Sequence, residues 1–398
     1  MRAVLLKGPS QYEGTRTFID HAAAALARRG YRPDVVDLQG VETPMAAILE
    51  AAAAGPPAFV FSINMLGEAR DGLGRTMGEI FEAPHVVWHV DYILSQEVRL
   101  AATPASAALL MVDPTQVEAL ASIYGRARFP NTGFCPHAAV GEVAPDDADA
   151  EAFAANRPIP ILWCGTLQKL KAPPWADADA PTRKVFDDAT DLALSVEWMA
   201  PHEALDQVLA SRGLDLADPE NQGARQAARF VDVQVRVTRR YAFVKALAKT
   251  GLPIHICGLG WDADLYRFKK PVYEGPVSMS RMSELMRRSR IVLNTNGNFG
   301  AGSHERPLST LLAGAASFSD YSRYYGEVFE DGRDITLFRW MEVRGGLDRL
   351  QALAADAAAA HATAVAGKAK VLAGHTWDSR IERVLEAAGL PLQARAAA

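Results

Sequence analysis

The sequence predicts an α/β protein made of two Rossmann-like, doubly wound domains in tandem, and three observations carry that prediction. Strand-like and helix-like segments alternate almost without interruption through the first third, the pattern of a parallel sheet covered by helices on both faces. A strand running into a glycine turn recurs at Gly8, Gly165 and Gly258. At 398 residues the chain exceeds what one ordinary core organises.

The alternation starts at once, with an apolar strand at 3–6 ending at Gly8-Pro9-Ser10. Residues 15–29 read as an amphipathic helix with Phe18, Ala22 and Leu26 on one face and Gly30 as its stop. Strands follow at 35–38, 58–63, 86–90 and 108–112, the last three ending at Asn64, Asp91 and Asp113. Helices at 44–54, 74–82, 95–102 and 116–124 connect them, and residues 128–134 close the series at Pro136-His137. Residues 1–145 are therefore assigned to the first domain. The acidic, alanine-rich segment 146–156 reads as a linker. A second domain, 157–375, opens with strand 159–164 and the turn Gly165-Thr166. Residues 168–221 break the alternation and read as a helical insertion. Next come helix 225–250, strand 253–257, strand 272–274 and helix 280–288. Strand 290–295, a glycine-rich loop at 296–303, helix 307–315 and strand 316–319 then form one continuous unit. Helix 322–329, strand 335–338 and a helical tail complete the chain, and 376–398 is a C-terminal helix able to pack back on the first domain.

Composition removes several function classes. Hydrophobic residues at 49% and charged residues at 22% describe a globular chain. A formal net charge of −5 and a pI near 6.0 argue against a nucleic-acid partner. Cys135, Cys164 and Cys257 form no CxxC pair, and the last two end apolar strands, so free buried thiols and a cytoplasmic location are expected. The N-terminus reads as a strand and lacks the features of a signal peptide. No apolar run approaches the roughly 18 residues of a membrane span, which leaves peripheral membrane contact open. The turns at Gly8 and Gly258 lack the full GxGxxG pattern, disfavouring a dinucleotide cofactor. A Walker lysine motif, a GxSxG elbow and an HExxH pair are also missing.

In open α/β sheets, ligands bind beyond the carboxyl ends of the strands. The loop 296–303 runs into a helix with Pro307 read at its first position, so backbone N–H groups and the helix's positive end converge where Arg306 stands. That suits a phosphate; the alternative is a glycine-rich connection with no ligand. Asp91 reads either as a base toward an acceptor hydroxyl or as a turn residue before Ser95. His137 reads as a sugar contact or a hinge residue, His89 as a core histidine, and His304 as a phosphate or sugar contact. Trp261 is either a stacking platform or packing, and Asp320 a donor contact or a helix cap. Gly8, Tyr12, Glu13 and Asn64 offer acceptor-side contacts, with a solvated helix start as the alternative for Glu13. Arg239-Arg240 reads as a solvated helix face more readily than as a phosphate contact.

Gly302-Ser-His-Glu-Arg-Pro-Leu-Ser-Thr-Leu-Leu-Ala-Gly-Ala-Ala-Ser-Phe-Ser-Asp320 resembles the C-terminal signature of CgeB-like glycosyltransferases, a family with the GT-B fold. Ile254-His-Ile-Cys-Gly-Leu-Gly-Trp261, Asp331-Gly-Arg-Asp-Ile335 and His375-Thr-Trp-Asp-Ser-Arg380 extend the resemblance, as do Trp88-His-Val-Asp91 and Phe134-Cys-Pro-His137 in the first domain. The resemblance implies two domains facing across a cleft, with a nucleotide-sugar donor held by the second and an acceptor by the first. That acceptor would be a glycan, a lipid-linked molecule or a protein. No cofactor and no metal are implied, because helix ends and basic side chains hold the diphosphate. Arg306 and the 296–303 backbone, including Asn296, Gly302 and Ser303, would stabilise the leaving diphosphate. Gly165 and Thr166 would approach the same phosphates, Gly258 to Trp261 would line the base pocket, and Glu305 and Ser309 would lie near the ribose. One departure stands out: Ser309 and Ala301 occupy positions where related transferases carry acidic residues. The departure keeps a non-catalytic sugar- or nucleotide-binding scaffold in view; a nucleotide-sugar epimerase on the same fold is a second alternative.

Overall fold

A computed structural model describes residues 1–65, 70–169, 172–297 and 299–392. The chain forms two compact units, one of Met1–His137 with Thr376–Ala398 and one of Ala138–His375.

The first unit holds a six-stranded sheet in the order β2-β1-β3-β4-β5-β6. Its strands are β1 (Arg2–Lys7), β2 (Arg32–Asp37), β3 (Val60–Ile63), β4 (His85–His89), β5 (Ala108–Met111) and β6 (Thr132–Phe134), every pairing parallel. Near-continuous apolar runs such as Ala3, Val4, Leu5 and Leu6 are fully buried, as a sheet covered on both faces requires. The chain moves from β1 outward to β2 and then crosses back to β3, so the strand order reverses between β1 and β3. Helix Gly14–Arg28 buries Phe18, Ala22 and Leu26. Helix Trp377–Ala387 belongs to this unit: the Trp377 ring lies 5.7 Å from Phe18 and 5.4 Å from Trp88. Arg28 adds an ion pair to Asp378 at 3.1 Å, and Arg29 one to Glu382.

A charged node ties the first helix to β2. Arg16 donates to both Asp37 carboxylate oxygens at 2.8 and 2.7 Å and to Glu13 Oε2 at 2.8 Å. The hydrogen bond from Arg16 holds the Asp37 carboxyl at about 2, below its ordinary 3.8. A carboxyl depressed in the folded state contributes stability above its unfolded pKa, and that contribution is lost as pH falls through the folded value. Thermal melts of the wild type are therefore expected to steepen in their acid dependence from about pH 4 down to about pH 2. Asp37→Asn should flatten that window; an unchanged slope would remove the node's role.

The second unit holds a six-stranded sheet in the order β12-β11-β10-β7-β8-β9. Its strands are β7 (Ile159–Cys164), β8 (His255–Cys257), β9 (Val272–Tyr273), β10 (Ser289–Leu293), β11 (Ala316–Asp320) and β12 (Thr336–Phe338), again all parallel. The order reverses between β7 and β10. Trp163, Trp261, Phe318 and Phe338 pack with Phe243 of helix Gln222–Ala248 in one core.

Segment 146–156 is not a linker. Asp149 caps a helix at Ala150–Asn156 by accepting from Glu151 and Ala152 N–H groups at 3.0 and 2.9 Å. Its one large apolar residue, Phe153, is fully buried in the second core, which is enough to dock a short helix. Within 168–221, helices Ala180–Ser195 and Pro201–Ala210 pack on each other and on Gln222–Ala248; Leu170 and Lys171 lie outside the described residues. Among the described residues no helix is long and apolar enough to cross a membrane.

Candidate functional site

The reversal between β7 and β10 is where a ligand crevice is expected in the second unit. Two arginines span it. Arg306 Nη1 donates to the Cys164 carbonyl at the end of β7 at 3.0 Å and to Asn294 Oδ1 after β10 at 3.1 Å. Arg240, on helix Gln222–Ala248, donates to the Thr166 carbonyl at 3.0 Å, to Thr295 Oγ1 at 3.0 Å and to the Thr295 carbonyl at 3.1 Å. Desolvation, with Arg306 and Arg236 nearby, pushes the Arg240 guanidinium down to about 9. Among the described residues no carboxylate hydrogen-bonds to Arg240, so two cations face one crevice and an anion between them would relieve both.

Arg240 is therefore not part of a solvated face, and Arg239 is buried. Arg239 donates to the carbonyls of Gly297, Ala193 and Val196. The signal was present in the sequence: Arg240 falls at helical spacing with Val237, Val244 and Leu247, all buried. Two adjacent arginines on a long helix look solvated only when that periodicity is not followed through them.

His304 and Glu305 set the orientation of Arg306. His304 Nδ1 lies 2.5 Å from Glu305 Oε2 and Nε2 lies 2.9 Å from Arg306 Nη2. A guanidinium only donates, so Nε2 must accept and Nδ1 must carry the proton toward Glu305. The 3.4 Å approach of Arg306 N to Nδ1 is too long to compete with that short contact. Desolvation, then the charge of Arg306, lowers the His304 pKa, which keeps the ring neutral. The helix itself is Glu305–Leu312, with His304 at the N-cap. Pro307 is thus its third residue, not its first; proline is tolerated there because N–H groups of the first turn have no partner inside the helix.

Part of the expected backbone cradle is spent on the fold. Asn296 N and Gly297 N both donate to the Asp320 carboxylate at 2.7 Å, Gly302 N donates to Phe299 O, and His304 N to Tyr325 Oη. Asp320 also accepts from Trp340 Nε1 at 3.1 Å. It is buried, with its pKa raised by desolvation, and it staples the loop to β11 rather than capping a helix or presenting itself to a sugar. Ser303 is buried as well, and Asn298 lies outside the described residues. Those N–H groups are not available to an anion, which leaves the side chains of Arg240 and Arg306 as the candidates to meet one.

Ser309 is also committed. Its Oγ donates to the Glu305 carbonyl at 2.8 Å and accepts from Val140 N at 2.9 Å, and the residue is buried, so it has no proton left to donate to a ribose. Trp261 is not a base platform. It is fully buried in the core, and Nε1 donates to the Gly165 carbonyl at 2.8 Å. Gly165 does approach the crevice: a Cβ there would lie 3.6 Å from Arg306 Nη1. Gly258 packs directly beneath it, where a Cβ would lie 2.3 Å from the Gly165 carbonyl oxygen. Cys164 and Cys257 are buried and free, their sulfurs 3.2 Å apart.

In the first unit the structure brings Asn64 and Asp91 together. Asn64 Nδ2 donates to Asp91 Oδ2 at 2.6 Å, while its Oδ1 accepts from Val90 N at 2.9 Å; Asp91 is exposed. Two consecutive left-handed pairs flank the β1/β3 reversal, Tyr12 and Glu13 (φ 55° and 64°) and Asn64 and Met65 (φ 49° and 54°). Such conformations cost non-glycine residues about 1–3 kcal/mol each and gather at functional loops. Tyr12 and Glu13 are exposed, whereas Gly8 is buried and its carbonyl lies 3.4 Å from Arg16 Nη1. His137 is not at an open loop. It is buried, its ring 6.0 Å from Trp88 and 6.3 Å from Phe18, and its carbonyl accepts from Arg380 at 2.9 Å. His89 is buried within β4. No group of three or more His, Cys, Asp or Glu side chains among the described residues is arranged to hold a metal ion.

The chain was compared with known proteins. No curated protein matches it. Among solved structures, Anabaena HepE in complex with UDP and glucose superposes with a TM-score of 0.52 at 11% identity, covering 97% of this chain and 98% of that one. Sucrose-phosphate synthase from Thermosynechococcus elongatus gives 0.53 at 11% identity, covering 97% and 98%. A glycosyltransferase from Rickettsia africae gives 0.50 at 10% identity, covering 97% of each. Residues 239–386 match the family model described as glycosyl transferase-like, a stretch that contains Arg240, Arg306 and the whole loop between β10 and β11. The chain therefore has the GT-B fold, and over residues 239–386 it is similar to the glycosyl transferase-like family.

Proposed function

We propose that the protein is a glycosyltransferase that takes a nucleoside-diphosphate sugar as donor, with the diphosphate seated between Arg240 and Arg306 in the β7/β10 crevice. The observation that carries the reading is that pair of guanidiniums, each crossing the crevice and, among the described residues, neither hydrogen-bonded to a carboxylate there; Glu305 Oε1 lies 3.9 Å from Arg306 Nε. An acceptor hydroxyl, on a glycan, a lipid-linked molecule or a protein, attacks the anomeric carbon. The bond to the β-phosphate oxygen breaks, and the charge that develops on the departing diphosphate falls on the two arginines. No cofactor or metal is assigned to this step. Asp91, held by Asn64, is the assigned base for the hydroxyl proton, and the loops around Tyr12, Glu13 and Asn64 are assigned to the acceptor. The reading includes membership of the CgeB-like group and a cytoplasmic location.

The commitment of Ser309 to Glu305 and Val140 favours a second reading, a scaffold that retains diphosphate affinity without transfer. Titration with a panel of nucleoside diphosphates, followed by assay of the matching diphosphate sugars for turnover with and without acceptor preparations, separates the readings. The expected result is saturable binding of at least one nucleoside diphosphate and its acceptor-dependent release from the sugar donor. Binding without turnover supports the scaffold, turnover to an isomeric donor without acceptor supports an epimerase, and no binding at all sinks the site.

A further inference from the structure

The Asn296 side chain is 3% exposed, and neither Oδ1 nor Nδ2 has a hydrogen-bond partner among the described residues. Its surroundings hold it firmly. Its backbone N–H is fixed by Asp320 at 2.7 Å, and the next residue, Gly297, is fixed by Asp320 and by Arg239 at 3.0 Å. The preceding residue, Thr295, carries two of the hydrogen bonds of Arg240. A buried amide with an unsatisfied donor and an unsatisfied acceptor is costly, a penalty the fold sustains where a ligand removes it.

Chemistry narrows that ligand. Phosphate oxygens at neutral pH only accept, so a phosphate would satisfy Nδ2 and leave Oδ1 buried without a donor. A hydroxyl both donates and accepts, and two neighbouring hydroxyls satisfy the whole amide. A nucleobase edge offers a similar pattern, but the ribose separates it from the diphosphate, whereas the transferred sugar is bonded directly to the β-phosphate. Asn296 directly follows Thr295, whose hydroxyl and carbonyl anchor Arg240, so its backbone lies beside that guanidinium. We infer that the Asn296 side-chain amide reads hydroxyls of the transferred sugar and so helps to set which donor sugar is accepted. The inference rests on the diphosphate reading above.

The test uses the full chain and the best-binding nucleoside diphosphate from the panel. Its affinity is compared with that of the corresponding diphosphate sugars, including an epimeric pair such as the glucose and galactose forms. In Asn296→Leu and Asn296→Ser the diphosphate alone should bind within about twofold of wild type, which also reports an intact fold. The preferred diphosphate sugar should bind about tenfold more weakly, and discrimination between the epimers should shrink. Equal weakening for diphosphate and diphosphate sugar in both variants, or unchanged binding of both ligands, overturns the inference while leaving the diphosphate site standing. If wild type binds no nucleoside diphosphate, the underlying reading fails and this inference falls with it.

Discussion

Replacing Arg306 by alanine is expected to weaken nucleoside-diphosphate binding about 50-fold and to lower donor turnover about a thousandfold. The binding loss corresponds to a charge-assisted contact worth about 1.5–3 kcal/mol. Turnover falls further because the charge on the diphosphate grows as the sugar leaves, and losing one preorganised donor at such a site typically costs 10²–10³ in rate. The change also alters the local balance of charge. Glu305 and His304 lose the cation they orient, and a carboxylate then stands beside the place where phosphate must sit. Arg306→Lys should recover little. A single ammonium does not reproduce a fork that holds Cys164 O and Asn294 Oδ1 through one nitrogen and His304 through another. Calorimetric titration and a nucleoside-diphosphate release assay read the two effects separately. Values within threefold of wild type would remove Arg306 from the site.

Gly260→Ala is expected to destabilise the second unit by about 3 kcal/mol or more, which for a domain of this size lowers its melting temperature by about 6–12 °C. Gly260 has φ +82°, and a Cβ there would lie 2.1 Å from the Leu167 carbonyl oxygen. That oxygen belongs to a backbone that cannot swing aside. Leu167 N donates to the Leu259 carbonyl and Gly165 N to the Cys257 carbonyl, both at 2.9 Å, so the loops after β7 and β8 are zipped together. Gly251 provides the comparison: it also has positive φ, +71°, but no atom lies within 4 Å of its Cβ position. Gly251→Ala should therefore cost only the left-handed penalty, about 1–2 kcal/mol. Differential scanning calorimetry of the two variants separates clash from conformation, and equal losses would show that the zipped loops do not matter.

The alternation of apolar strands and amphipathic helices made both sheets legible, because strands buried on two faces must be continuously apolar. Val4 to Leu6 and Ile161 to Cys164 announce themselves in that way. The loop after β10 was read as a ligand loop from its glycines and from Arg306. What it does with its backbone was not, because the group that takes two of its N–H bonds is Asp320, more than twenty residues away and read as a ligand contact. Ser309 drew attention as a missing carboxylate, yet its partner Val140 lies 169 residues back in the chain, and no local pattern predicts that pairing. Trp261 and His137 were left open between ligand contact and packing or hinge for the same reason. An aromatic ring at a strand end looks like a ligand platform until the residues that bury it are known.

The helix Trp377–Ala387 has a consequence for how the protein is made. Trp377 fills a slot against Phe18 and Trp88, so the first unit draws an essential wall from residues translated after the whole second unit. On the ribosome, the second core can close before the first is sealed, inverting the order in which the two units begin. Until that last helix emerges, the aromatic faces of Phe18 and Trp88 stay open to solvent, and the growing chain carries a sticky surface where a chaperone would find it.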